Sequence, residues 1–177
     1  VLDFFLAAQE GMMVIMPTPT SVENAYHFLK AVYYRKLKRV IKSLQAEQLV
    51  DEVMAEKVAR GIRSPRDLVR DIQTVDPETG QAIAANMSFF SPRLIVNQVR
   101  RGEDLDLGSK IALACSDFFA IDMKVSGNVR ADERVLASLK ARRPTLEMFP
   151  NSPFADDIER IVRTICPSTE YRNGRRA

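Results

Sequence analysis

The chain has 177 residues, of which 46% are hydrophobic and 28% charged, a composition typical of one globular domain with a sizeable core. Its 26 basic and 23 acidic residues leave a formal net charge of +3, too small by itself to indicate nucleic-acid binding. Two distant cysteines and a single histidine argue against a zinc site and a disulfide framework, and favour a reducing, cytoplasmic compartment. No apolar run approaches the roughly 20 residues that cross a membrane.

The first 44 residues predict a helix, a strand and a second helix. Residues 1–9 are the end of a helix stopped by Gly11, and the lack of an initiator Met or helix-entry signal leads us to expect a longer protein. Five apolar residues at 12–16, between Gly11 and Pro17, predict a strand buried on both faces. Thr20 or Ser21 suits the N-cap of a long helix. Its apolar stripe comprises Tyr26, Leu29, Tyr33, Leu37, Val40 and Leu44.

Residues 45–87 carry helical signals and no strand signal. Segment 45–60 has helical periodicity, Ser64-Pro65 opens a helix over about 65–74, and residues 76–80 form a turn or a new helix start before 81–87. We therefore expect helical packing added to one edge of an alternating fold.

The remaining chain alternates strand and helix. Strands are predicted at 93–99 and 121–127, and helices at 102–119, 131–141 and 153–165. The last helix has an apolar stripe but no basic face, so we expect it to pack on the sheet. Residues 1–166 then form a single α/β domain, a parallel sheet of at least three strands with helices on both faces, followed by a polar tail at 167–177. Ligands of such folds lie beyond the carboxyl ends of the strands, here residues 17–21, 97–101 and 128–132.

Those three segments carry a family resemblance. Residues 14–25 (VIMPTPTSVENA) are similar to the "TTPE…S…DA" segment of the MinD/ParA ATPases, especially their flagellar-number-regulator branch (FlhG/FleN). Residues 94–99 (LIVNQV) resemble the "vvNr" strand end of that family, 128–135 (NVRADERV) its "G.ip.D..v" loop, and Arg143-Pro144 its "G.P" element. The resemblance covers roughly 1–165 and implies the C-terminal half of a P-loop NTPase fold.

The resemblance also implies a function and a set of contacts. Asn97 would contact the adenine of ATP, and loop 129–132, with Arg130 and Asp132, would lie against the ring. Gln98 stands where the family more often has Arg. The family is a nucleotide-switched positioning or regulatory ATPase that dimerises around ATP and Mg²⁺. No GxxxxGK[ST] loop occurs in this sequence, so neither a phosphate-binding lysine nor a Mg²⁺ ligand can be named.

Several residues have simpler interpretations that stay open. Asn97 suits a turn cap, and Asp132 suits the N-cap of the helix that follows it. The chain as a whole is alternatively a non-catalytic interaction module that binds a protein partner through helices 20–86. A basic run on the long helix is either a solvated face or a contact for DNA or another anionic surface; it comprises Arg35, Lys38, Arg39 and Lys42.

Overall fold

A computed structural model describes residues 1–100 and 102–166, so the predicted tail at 167–177 lies outside the described residues. The elements, in chain order, are α1 Leu2–Ala7, β1 Met12–Ile15, α2 Pro19–Ser43, α3 Glu47–Ala55, α4 Pro65–Val75, α5 Pro77–Ser88, β2 Arg93–Val99, a 3₁₀ helix Gly102–Asp106, α6 Leu107–Phe119, β3 Lys124–Arg130, α7 Glu133–Ala141, α8 Thr145–Met148 and α9 Pro153–Ile165. None of the helices in these two ranges is long and apolar enough to cross a membrane.

The three strands form one parallel sheet in the order β1-β2-β3. Val14 pairs with Ile95, and Ile95 in turn pairs with Gly127. Each strand reaches the next through helices, as parallel pairing requires. The predicted α/β class and its three-stranded parallel sheet are therefore confirmed.

Helices α2 and α6 cover one face of the sheet and enclose the main core. Tyr33 of α2 and Phe119 of α6 are 1% and 2% exposed, with ring centroids 5.0 Å apart. Cys115 is buried beside them, as its apolar surroundings in the sequence predict. Leu94 and Val96 of β2 complete this core from the sheet.

The segment predicted to be helical is confirmed as α3, α4 and α5, which pack against α2 and α6. Helix α4 begins at a capping box, in which Asp67 N–H donates to Ser64 Oγ at 3.1 Å and Ser64 N–H donates to Asp67 Oδ2 at 3.0 Å. Asp76 caps α5 through Thr79 N–H. Gly80 lets α5 lie against the backbone of Gln73 in α4.

Helix α9 covers the second face of the sheet, but only over β2 and β3. Ile161 packs against Ile95 and Val129, and a Cβ on Gly127 would lie 2.8 Å from the Ile161 side chain. The expected packing of the last helix on the sheet is confirmed.

Three details of the sequence prediction are wrong. β1 is buried on one face only, since α9 does not extend over it and Met12 and Val14 are 41% and 59% exposed. β3 begins at Lys124 rather than at 121. Ile121 and Met123 lie in the connection from α6, where their apolar side chains pack in the main core. The helix predicted over 102–119 opens with a 3₁₀ turn.

Candidate functional site

The carboxyl ends of β1 and β2 border a surface groove, which we call the carboxyl-edge groove. It consists of two adjoining cavities of about 360 and about 580 Å³ that share Pro17, Thr18 and Asp104. The smaller is also lined by Met16, Gln98 and Arg100, and the larger by Pro19, Val22, Glu23, Tyr26, Leu107 and Lys110. This is the edge at which parallel α/β sheets bind ligands.

The β1–α2 loop forms one wall of the groove. Met16 N–H donates to Ser21 Oγ at 3.0 Å, and Thr18 N–H donates to the Met16 carbonyl at 2.8 Å. Ser21 therefore holds the loop instead of capping α2, whose N-cap is Thr18 followed by Pro19. The N-terminus of a 25-residue helix thus borders the groove, where its dipole favours negative charge.

Gln98 forms the opposite wall in an unusual backbone conformation. Its φ of +59° lies in the left-handed region that residues other than glycine rarely adopt. The pairing register shifts here between Asn97 and Val99, and the Asn97 Oδ1 accepts the Gln98 N–H at 2.9 Å. Such conformations cost about 1 kcal/mol or more and cluster at functional sites. Asn97 thus serves as a local turn cap and fixes the strand end that borders the groove.

Charged groups of both signs line the groove. Arg100 and Lys110 are the cations, and Glu23 and Asp104 are the anions. Arg100 N–H donates to Asp104 Oδ2 at 3.2 Å, which fastens the 3₁₀ turn to the end of β2. The groove therefore offers amide groups for hydrogen bonding and cations beside a helix N-terminus, an arrangement suited to a polar, partly anionic ligand.

Two other residues expected to contact nucleotide, Arg130 and Asp132, lie in a separate cluster. The carboxylate of Asp157, 1% exposed, accepts Arg130 N–H at 2.8 Å and Arg130 Nε at 2.9 Å, and it also contacts Arg160. Burial opposes ionisation of Asp157, but the hydrogen bonds from Arg130 and Arg160 hold its pKa below the usual range. Arg130 is therefore already engaged with α9.

Asp132 caps α7, which is the simpler of its two interpretations. Its Oδ1 accepts Arg134 N–H at 3.0 Å, and that bond leads the interactions that lower the pKa of Asp132. Its Oδ2 accepts Phe154 N–H at 3.4 Å and so joins α7 to the start of α9. Of the four expected nucleotide contacts, only Gln98 lines the groove, with Asn97 next to it.

Sequence reasoning missed Asp157. Asp157 follows Asp156, the acidic residue in the first turn of α9, and its partner Arg130 lies far away in sequence. One local signal was available: Asp157 lies four residues before Ile161, on the apolar stripe of α9, whereas the exposed Asp156 does not.

The basic run of α2 is partly used inside the molecule. Arg35 Nε donates to Asp3 Oδ1 at 2.7 Å, and Arg39 also contacts Asp3, which joins α1 to α2. The hydrogen bond from Arg35 is the leading reason that the pKa of Asp3 is lowered. Lys38 and Lys42 are exposed. Contact of this run with an anionic surface stays a prediction.

Within residues 1–100 and 102–166, no group of three or more His, Cys, Asp or Glu side chains is arranged to hold a metal ion. Comparison with models of known protein families gives no match. Comparison with curated proteins gives none either.

Proposed function

We propose that the chain binds an adenine nucleotide in the carboxyl-edge groove, as the base-binding part of a MinD/ParA-like ATPase that switches a positioning or regulatory partner. One observation carries this proposal: the left-handed Gln98 at the end of the central strand, held by Asn97 and bordering the groove. A left-handed backbone at a strand end, beside the edge where α/β sheets bind ligands, supports a binding site there.

The groove supports this assignment chemically. The amide of Gln98 supplies both a donor and an acceptor, which is what the edge of an adenine ring requires. Lys110 and the N-terminus of α2 favour the negative charge of the attached phosphates. The resemblance of residues 14–25 and 94–99 adds the family expectation of ATP. The proposal assigns no hydrolytic residue to this chain, since its sequence contains no phosphate-binding loop. Homodimer formation around ATP remains part of the proposal.

Calorimetric titration with ATP and GTP tests the proposal. Saturable heat with ATP, and at least about tenfold weaker binding of GTP, are expected if the amide reads the base edge, since tenfold corresponds to the worth of about one hydrogen bond. Gln98→Ala should weaken ATP binding by a similar factor. The matched control is Gln48→Ala, which removes the same amide from an exposed position on α3. Equal affinity for the two nucleotides, or an unchanged affinity in Gln98→Ala, would refute base recognition by this groove.

A second candidate function is a non-catalytic module that binds a protein partner. The observation that favours it is the internal pairing of Arg130 with Asp157 and the capping role of Asp132, which leave two expected nucleotide contacts engaged elsewhere. Absence of heat with both nucleotides, from a chain that unfolds cooperatively, would select this candidate.

A further inference from the structure

Another cavity lies between α2 and α6, against the main core and open at one side. Its volume is about 290 Å³, and its floor is formed by Met13, Ile15 and Leu94, which are 8%, 3% and 0% exposed. Ala114 of α6 and Tyr26 of α2, the latter 40% exposed, stand at its outer side. We call it the core cavity.

The lining of the core cavity is apolar. It carries no charged side chain, and its one buried polar group is the thiol of Cys115, whose pKa burial raises to about 11. Bound water needs two to four polar partners, which this lining does not supply, so an apolar ligand displaces water from it at little cost. A charged or strongly hydrogen-bonding ligand would lose its hydration there without compensation.

One wall of the core cavity is aromatic. Phe118 and Phe119 stand edge to face with ring centroids 4.8 Å apart, and Tyr26 lies 6.4 and 6.1 Å from them. Aromatic rings prefer such offset or edge-to-face neighbours at centroid distances of roughly 4.5–7 Å. The Cys115 sulfur on the same helix adds a polarisable contact that ring edges favour.

We propose that the core cavity binds a small aromatic hydrocarbon of one or two rings, without hydrogen-bonding groups. An engineered apolar cavity of roughly 150 Å³ accepts benzene. The core cavity is about 290 Å³, which is sufficient for two fused rings. The cavity borders the carboxyl-edge groove at Val22 and Tyr26, but it lacks the charged side chains of the groove, and the proposal is independent of nucleotide binding.

Two probes of the same shape and different polarity test the proposal. Indene is an apolar bicycle, and benzimidazole replaces part of the same outline with a hydrogen-bonding N–H and ring nitrogen. The readout is alkylation of Cys115 in a Cys166→Ser chain, since the exposed Cys166 would otherwise react first. Indene at a concentration roughly ten times its dissociation constant should slow the alkylation of Cys115 about tenfold. The reason is that a protein molecule with indene in the cavity must release it before the thiol can react. Benzimidazole at the same concentration should leave the rate unchanged.

A filling variant shows where indene binds. Ala25→Leu adds three carbon atoms to the lining, whereas Ala31→Leu makes the same change at an exposed position on the same helix. Protection by indene should be lost in the first variant and retained in the second, and calorimetry should give the same ranking. Ala114→Leu, at the outer side of the cavity, provides a second filling variant if Ala25→Leu does not fold. No protection by indene, equal protection by both probes, or protection that persists in a folded filling variant would overturn the proposal.

Discussion

Replacing Asp157 with alanine removes the buried carboxylate that joins β3 to α9. It deletes the acceptor of Arg130 N–H at 2.8 Å and of Arg130 Nε at 2.9 Å, together with the contact to Arg160. The backbone N–H of Arg130 then loses its acceptor. This happens at a buried position, since the side chain of Asp157 is 1% exposed. The change therefore tests whether this cluster holds the last helix on the sheet.

The expected loss of stability is about 3 kcal/mol. Breaking a buried ion pair typically costs roughly 3–5 kcal/mol, and a hydrogen bond to a charged group contributes about 1.5–3 kcal/mol. The lower end applies here, because the side chains of Arg130 and Arg160 are 47% and 68% exposed and return easily to water. Arg130→Ala should cost about 2 kcal/mol, since Arg160 and the backbone N–H still serve the carboxylate. Arg160→Ala removes an exposed partner and should cost about 0.5 kcal/mol.

Urea denaturation of the four proteins measures this ranking. With a slope near 2 kcal/mol per molar, Asp157→Ala should shift the midpoint by about 1.5 M. Arg130→Ala should lower stability and leave the proposed binding of ATP unchanged, because the guanidinium is engaged with α9 rather than with the groove. A loss of less than about 0.5 kcal/mol in Asp157→Ala, or an equal loss in Arg160→Ala, would refute the reasoning.

Three further results follow from the geometry. Gly80→Ala places a Cβ 2.4 Å from Gln73 Cα and should cost about 3 kcal/mol in urea denaturation, whereas Gly102→Ala meets nothing within 4 Å and should stay within about 0.5 kcal/mol. Gln98→Gly should change stability by no more than about 0.5 kcal/mol, because relief of the left-handed strain offsets the added freedom of the unfolded chain. Gln98→Val should lower stability by about 1–2 kcal/mol, because a β-branched residue is strained at positive φ. Equal values for the two variants would contradict this reasoning. Because the pKa of Asp157 is lowered from its usual 3.8, its contribution is complete above that pH and is lost as pH falls through the folded-state value; acid titration of stability should be flatter in Asp157→Asn.

Much of the local architecture could be predicted because its causes are local. β2 is an apolar run between a proline and a positively charged turn, and the structure places it at Arg93–Val99 as predicted. Helices α4 and α9 begin where Ser64-Pro65 and Ser152-Pro153 indicate, since a cap and a proline act on adjacent residues. The burial of Cys115 and Tyr33 follows from the periodicity of their own helices.

The candidate site was predictable only as a region. The rule that ligands bind just after the strands correctly predicted that four residues lie together, because the carboxyl ends of parallel strands meet at one edge. These residues are Pro17, Thr18, Gln98 and Arg100. Lys110 and Asp104, which complete the groove, belong to the turn and helix after β2 and have no sequence signal for that position. The ATP and MinD/ParA assignments rest on resemblance and stay predictions.

The amino-acid sequence by itself determined the alternation of helix and strand and the caps of α4 and α9, since each depends on neighbours within a few residues. The parallel class of the sheet followed from the helix-length connections between its strands. Only the tertiary structure decided that Val14 is exposed, that Arg130 pairs with Asp157, and that a cavity remains between α2 and α6. These features depend on which helix covers which strand and how closely two helices approach. Such contacts join residues far apart in the chain, where no local pattern encodes the partner.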